Sequence, residues 1–175
     1  QALTSLIAKR PGAAETLYLA GYERYLSGDY VGASAKLRAA LELAPGDRDA
    51  GGLMALSDAA ATAIKGHEER RSQHFLLRYP PEDAVIADWA LEALESALAA
   101  LSADLGFVPV RPIPVDIYRS PQDLAAVSTL TVEEVERTGT IALCKWARLM
   151  ATSPRALRYG YPWLDSLNHE LVHYV

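Results

Sequence analysis

Trp163-Leu-Asp-Ser-Leu-Asn-His-Glu-Leu-Val-His-Tyr-Val175 is the stretch of sequence that decides how the second half of the chain folds. It carries the motif HExxH at His169, Glu170 and His173, inside a pattern typical of an amphipathic helix. At 100° per residue its side chains divide between two faces. The expected apolar face comprises Trp163, Leu164, Leu167, Leu171, Tyr174 and Val175; the polar face comprises Pro162, Asp165, Ser166, His169 and His173. We therefore predict a helix with one side in the core and the other facing a polar cleft.

The spacing of the HExxH residues is suited to binding a metal ion. Residues four apart lie on one side of a helix, so the imidazoles of His169 and His173 can share one ion. Glu170 lies beside them, where a carboxylate can reach a water on that ion. The alternative is a surface helix with two solvated histidines. The match between the motif and the polar face favours a zinc site.

Composition sets limits on the kind of protein. The chain has 175 residues, half of them apolar, and a net charge of −5, which predicts a globular protein of one or two domains. This charge gives no reason to expect nucleic acid as a partner. We find no apolar run long enough to span a membrane, and no signal peptide. Cys144 is the only cysteine, which excludes an internal disulfide, and we expect it to be a small apolar residue in a strand.

The first third of the chain contains a repeat. Pro11-Gly12 and Pro45-Gly46 recur at a spacing of 34 residues. Between them we predict a helix over about 14–27, a turn at Gly28-Asp29 and a second helix over about 30–43. Small residues at the helix contact allow close approach, and a leucine fills the adjacent space. The positions that carry this pattern are Leu17, Gly21, Gly28-Asp29-Tyr30, Ala33, Leu37, Ala40 and Pro45.

This pattern resembles the tetratricopeptide repeat. Leu3 and Leu6 then fall at the end of a preceding repeat, so we expect the given sequence to start inside one. After Pro45 the register fades, and we predict a closing helix over 47–65 whose inward residues are Leu53, Leu56, Ala60 and Ile64. Such repeats offer a concave surface to a protein partner. The alternative is that so short an array only supports the neighbouring domain.

We divide the chain into a repeat domain, 1–66, and a second domain, 73–175. The segment 66–73 is polar and charged, which favours a junction between domains, and we expect His67 in it to be solvated. The second domain is predicted to be α+β. Its expected order is a strand at 74–79, a long helix over 82–104, a strand at 112–118 that begins at a sheet edge, short helices at 120–127 and 131–137, strands at 139–144 and 147–153, and the HExxH helix.

Two side-chain sets in this domain are predicted specifically. We expect the long helix to bury Val85, Trp89, Leu91, Leu94, Leu98 and Leu101. The acidic pair Glu133-Glu134 is expected to stabilise the first turn of the helix at 131–137.

The order of elements resembles the N-terminal half of a zincin metallopeptidase. More specifically, the repeats followed by Arg148-Leu-Met-Ala-Thr-Ser-Pro154 and by Leu164 to Val175 resemble the bacterial peptidase-MA-like proteins of the gluzincin type. The resemblance implies that His169 and His173 ligate zinc, that Glu170 is the general base, and that a peptide or protein is the substrate. It also implies that the strand ending near Ser153 is the sheet edge that aligns an extended substrate.

One part of the family pattern is missing from residues 1–175. The family's third zinc ligand is a Glu on a following helix, which we expect beyond Val175. A catalytic zinc needs three protein ligands and one open position, so we expect the given residues to bind zinc weakly and to be inactive alone. The rival interpretation is a non-catalytic interaction scaffold with a degenerate peptidase-like domain. The compartment is not determined by the sequence; the resemblance favours a periplasmic or secreted bacterial location.

Overall fold

The computed structural model describes residues 12–128, 130–138 and 141–175. The chain divides into two compact units, residues 1–62 and 63–175. It is an α+β protein in which the described residues form seven α-helices and one five-stranded mixed sheet. The predicted partial repeat around Leu3 and Leu6, and Pro11, lie outside the described residues.

The first unit contains a hairpin of two helices, α1 (Ala14–Ser27) and α2 (Tyr30–Leu43). Gly28 ends α1 with a left-handed φ of 82°, which a glycine adopts without steric cost. Asp29 caps α2 by accepting a hydrogen bond of 2.9 Å from the Gly32 amide. The predicted helix bounds and turn are confirmed.

A third helix follows in the same unit, α3 (Arg48–Ala63). The carboxylate of Asp58 on this helix accepts a hydrogen bond from the Ser34 hydroxyl of α2. Leu53 and Ala60 are buried as predicted, whereas Leu56 and Ile64 are only partly buried. Ile64 lies beyond the end of the helix, so the predicted end at residue 65 is too late.

The second unit is built on a sheet with the strand order β1-β2-β3-β5-β4. Its strands are β1 (Glu68–Arg71), β2 (Phe75–Tyr79), β3 (Ile113–Tyr118), β4 (Ala142–Lys145) and β5 (Arg148–Thr152). The three central strands, β2, β3 and β5, are parallel, and the outer strands β1 and β4 are antiparallel to their neighbours.

This topology corrects three predictions from the sequence. The segment 66–73 is not only a junction, because Glu68–Arg71 pairs with β2 as strand β1. The strand at 113–118 is central rather than at an edge. Pro114 is tolerated in it because the pairing with β5 begins only at the next residue, Val115, so Pro114 is paired on the β2 side alone. The strand ending near Ser153 is also internal, and β4 is the edge strand on that side.

One face of the sheet is covered by two long helices, α4 (Ala84–Leu105) and α7 (Trp163–Tyr174). The α4 residues in this core are Ala87, Ala90, Leu91, Leu94 and Leu98, with Leu101 partly buried. Val85 and Trp89 are 67% and 57% exposed, so their predicted place in the core is wrong. At the N-terminal end of α4 the buried positions are occupied by Ala87 and Ala90 instead. These two residues lie on the same face of the helix as the buried leucines, whereas Val85 and Trp89 do not.

The short helices α5 (Pro121–Val127) and α6 (Val132–Thr138) follow β3. Ser120 caps α5 through a 3.1 Å bond from the Asp123 amide, as predicted. At α6, the Glu134 carboxylate accepts a 2.7 Å hydrogen bond from the Thr131 amide, and Thr131 Oγ1 accepts one from the Glu134 amide. Glu134 is therefore one half of a capping box, which confirms its role at the helix terminus.

The opposite face of the sheet carries charges that were not predicted from the sequence. Arg78 of β2, Asp116 of β3 and Arg148 of β5 are all buried on it. They are linked by an Arg148–Asp116 contact of 3.2 Å and an Arg78–Asp116 contact of 3.8 Å. Among the described residues, none of the helices has the length and apolar character needed to cross a membrane.

Candidate metal centre

Helix α7 presents the HExxH residues on its solvent side. Leu167 and Leu171 are buried in the core beneath the sheet, and Trp163 and Tyr174 pack partly against it. His169 and His173 are exposed on the opposite side of the helix. The predicted division into an apolar and a polar face is confirmed for these residues, whereas Leu164, predicted on the apolar face, is only partly buried and does not belong to the core. The core contacts therefore fix which way the two imidazoles point.

The two imidazoles converge. Nε2 of His169 and Nε2 of His173 are 3.1 Å apart, and their rings cross at 81°. Two nitrogens bound to one tetrahedral zinc at the usual bond length of about 2.0–2.1 Å are separated by about 3.3 Å. The observed separation is about 0.2 Å shorter than this value. It is also an ordinary hydrogen-bond distance between two imidazoles, so a bound ion would require only a small movement apart. The arrangement fits two ligands of one zinc ion.

Glu170 follows His169 in α7 and is partly buried. Burial and then the charge of Glu170 raise the pKa of the Cys144 thiol to about 11. Cys144 is a half-buried residue of β4 that packs against the core, as predicted, and it stays a thiol at neutral pH.

A third ligand is not present near the two histidines within the described part of the chain. No group of three or more His, Cys, Asp or Glu residues there could hold a metal ion. His74 is committed elsewhere, because its Nδ1 lies 2.7 Å from Oε2 of Glu95 on α4. Asp165 is exposed in the first turn of α7. An acidic residue at this position interacts favourably with the helix dipole, as expected of a helix-terminus residue.

The edge strand β4 borders the site. α7 packs against both β4 and β5. Within the described residues β4 pairs on one side only, with β5, in the register Ala142↔Ala151 to Lys145↔Arg148. Its other side carries the backbone groups that an edge strand offers to an added strand. The sheet edge next to the HExxH residues is therefore β4.

A cleft of about 600 Å³ opens next to His173. Its walls are the loop 107–111, the tip of the β4–β5 hairpin and the end of α7. Phe107 packs edge-on against Tyr174, with ring centroids 6.2 Å apart. Arg111 and Lys145 add positive charge to walls that are otherwise mostly apolar.

This cleft was not predicted from the sequence. The loop residues Val108 and Val110 are strongly exposed, 67% and 100%. The sequence Val108-Pro109-Val110, with two valines around a proline, could have indicated an exposed apolar loop. It was overlooked because the strand pattern that begins at Pro112 is more pronounced.

His67 differs from its predicted solvated state. Its side chain is about half-buried, and its Nε2 lies 3.4 Å from Nη1 of Arg119. Burial and this guanidinium lower the pKa of His67 to about 4. His67 therefore belongs to the second unit's structure rather than to a solvated linker, and it is remote in sequence and contacts from the HExxH residues.

Comparison with protein-family models, with curated protein sequences and with solved structures finds no match to this chain. The resemblance to the peptidase-MA-like proteins is thus a hypothesis, and the case for a function rests on the geometry of His169, Glu170 and His173.

Proposed function

We propose that the protein is a zinc-dependent metallopeptidase, with His169 and His173 as zinc ligands and Glu170 as the general base. The observation that supports this most directly is the 3.1 Å separation of the two Nε2 atoms on the exposed side of α7. The proposal requires a third protein ligand from outside the described residues.

Each residue of the motif has a distinct task in this proposal. His169 and His173 hold the ion through Nε2, since these are the atoms that converge. When bound, zinc acidifies a coordinated water and polarises a carbonyl. Glu170 accepts the proton from the attacking water and delivers it to the leaving amine. The core contacts of Leu167 and Leu171 keep these side chains in position.

The open edge of strand β4, next to the HExxH residues, indicates the class of substrate. An extended peptide can pair with the open side of β4 through its backbone, which gives affinity with little dependence on sequence. The adjacent cleft offers space for side chains, and Arg111 with Lys145 favours acidic ones. We therefore propose a peptide or unstructured protein as the substrate.

The helical hairpin of α1 and α2 supports the tetratricopeptide part of the proposal. Gly21 approaches α2 so closely that a Cβ there would meet Leu37, as the repeat pattern requires. Such a unit would recruit a protein partner or support the second unit.

A non-catalytic scaffold is the second candidate. It is favoured by one observation: the described residues offer no third ligand near His169 and His173. Two imidazoles alone bind zinc weakly, and a domain kept for its shape needs no stronger site.

Metal analysis of the full-length protein separates the two candidates. The peptidase proposal expects one tightly bound zinc per chain, lost in His169→Ala. A His67→Gln control replaces a histidine away from the motif and should keep the metal. Absence of tight zinc in the wild-type protein would favour the scaffold.

A further inference from the structure

A second cleft lies at the opposite end of the sheet from the HExxH residues. It is formed where the three parallel strands end: Pro80 follows β2, Arg119 follows β3 and Ser153 follows β5. Its volume is about 200 Å³. His173, in contrast, lies near the β4–β5 hairpin, where β5 begins. In open sheets of parallel strands, the carboxyl ends of the strands are where ligands commonly bind.

A buried carboxylate lines this cleft. Asp83 is 1% exposed, and Ser153 lines the cleft beside it. Its Oδ1 atom accepts no hydrogen bond from any described residue. The Nε atom of Arg155 is 3.9 Å from this oxygen, which is too long for a hydrogen bond. A buried acceptor in this state is costly unless a donor completes it, so the cleft presents a site for an N–H donor.

Two guanidinium groups stand at the rim of the same cleft. Arg155 is mostly exposed, and its Nη1 donates to the carbonyl of Glu82. Arg119 uses Nη1 to reach the carbonyl of Lys65 at 3.2 Å. A guanidinium has five N–H donors, so each of these contacts leaves most of the group able to bind a carboxylate.

The charges restrict the kind of ligand. A simple anion would be attracted by the two arginines but repelled by Asp83 and the nearby Glu82. A simple cation would be attracted by Asp83 and Glu82 but repelled by the two arginines. A molecule that carries both an amino group and a carboxylate satisfies the buried acceptor and the guanidinium groups together.

We propose that this cleft binds a small zwitterion of the α-amino acid type. Its ammonium group donates to Oδ1 of Asp83, and its carboxylate accepts from Arg155 and Arg119. The cleft is below the usual size range of drug-sized pockets, roughly 300–1,000 Å³, which suits a ligand of a few heavy atoms. This site is independent of the proposed peptidase, because it shares no residue with the metal centre.

Binding of glycine and L-alanine to the metal-free protein, measured by calorimetry and amide NMR shifts, tests the proposal. Acetate and propionate lack the amino group; methylamine and ethylamine lack the carboxylate. We expect at least one zwitterion to bind with a Kd near or below about 1 mM, and each analogue that lacks one charge to bind at least about tenfold more weakly. The shifted amides should cluster around Asp83 and Ser153.

Variants locate the site. Asp83→Asn and Arg155→Gln should each weaken binding by at least about tenfold. Arg155 is exposed, so its variant retains the fold even if Asp83→Asn does not. Arg158→Gln is the matched control: this exposed arginine of the same loop stacks on Tyr159 and does not line the cleft. No binding of either zwitterion, equal binding of the singly charged analogues, or unchanged binding in Arg155→Gln would overturn the proposal.

Discussion

Nη1 of Arg148 lies 3.2 Å from Oδ2 of Asp116, and both side chains are almost completely excluded from solvent. The pair joins neighbouring parallel strands, β3 and β5, on the sheet face opposite α4 and α7. Tyr118 adds its hydroxyl to the same carboxylate at 3.4 Å. Charges buried this deeply are tolerated because each one has a partner of opposite sign.

Asp116→Asn should therefore be strongly destabilising. The amide keeps the shape of the side chain but removes the charge, which leaves the buried Arg148 without its counter-ion. Breaking one side of a buried pair costs about 3–5 kcal/mol. Denaturant unfolding at neutral pH measures the loss. The control is Asp88→Asn, which breaks the exposed pair with Arg70 and should leave the free energy of unfolding near its wild-type value. Equal effects in the two variants would contradict the account.

These buried charges also mark the limit of sequence-based prediction. The amphipathic pattern of α7 was decisive, because Leu167 and Leu171 recur at helical spacing and fix the direction of His169 and His173. A single Asp116 inside an apolar strand carries no such signal. Its partner Arg148 is 32 residues away in sequence, and only the pairing of β3 with β5 brings the two together.

Strand order was the other feature that the sequence could not supply. Glu68–Arg71 is entirely charged and lacks alternation, so its pairing as β1 is decided by the neighbouring β2 rather than by its own residues. Likewise, β4 and β5 were both predicted as strands, but which of them forms the edge depends on β5 pairing with β3. Tertiary pairing therefore determined where the open edge lies relative to the metal centre.

Gly21→Leu should destabilise the helical hairpin of the first unit. A Cβ at Gly21 would lie 2.6 Å from Cγ of Leu37, which is fully buried and has little room to move. Overpacking of this kind costs about 1–3 kcal/mol. Gly52→Leu on α3 is the control, because a Cβ there meets no described atom within 4 Å and leucine favours a helix more than glycine does. Thermal unfolding of both variants checks the prediction; a stable Gly21→Leu would exclude the close contact.

The β4–β5 hairpin should become more stable when Ala147 is replaced by glycine. Trp146 and Ala147 both have positive φ, 52° and 55°, in the left-handed region that residues with a Cβ rarely adopt. Glycine removes this strain at residue 147, but its extra freedom in the unfolded chain offsets part of the effect. We expect the free energy of unfolding to rise by about 0.5–1 kcal/mol. Ala151→Gly, in the middle of β5 with extended geometry, should be destabilising instead. Denaturation midpoints of the two variants should move in opposite directions.

His67 should make stability depend on pH in a defined direction. Its folded pKa of about 4 lies below the unfolded value of about 6.5, so the unfolded chain binds the proton first. The contribution of the neutral imidazole is complete above about pH 6.5 and is lost as the pH falls toward about 4. His67→Gln should flatten this part of the stability profile. Arg119→Gln removes the adjacent charge and should raise the pKa of His67 in an NMR titration. A profile identical in wild type and His67→Gln would contradict the assignment.

Glu170→Gln and His173→Ala in the full-length protein should fail in different ways. Glu170→Gln keeps the shape of the side chain and alters neither a proposed zinc ligand nor a core leucine of α7, so we expect the fold and the zinc content to be retained. Turnover of an unstructured protein substrate should still fall by about 10²–10⁴, the factor associated with the loss of a general base. His173→Ala removes one of the two converging Nε2 atoms and should lose metal and turnover together. His67→Gln is the histidine control and should retain both zinc and turnover at neutral pH, because its side chain lies outside the metal centre. Wild-type turnover in Glu170→Gln would exclude Glu170 as the base and, with it, the peptidase mechanism proposed for this helix.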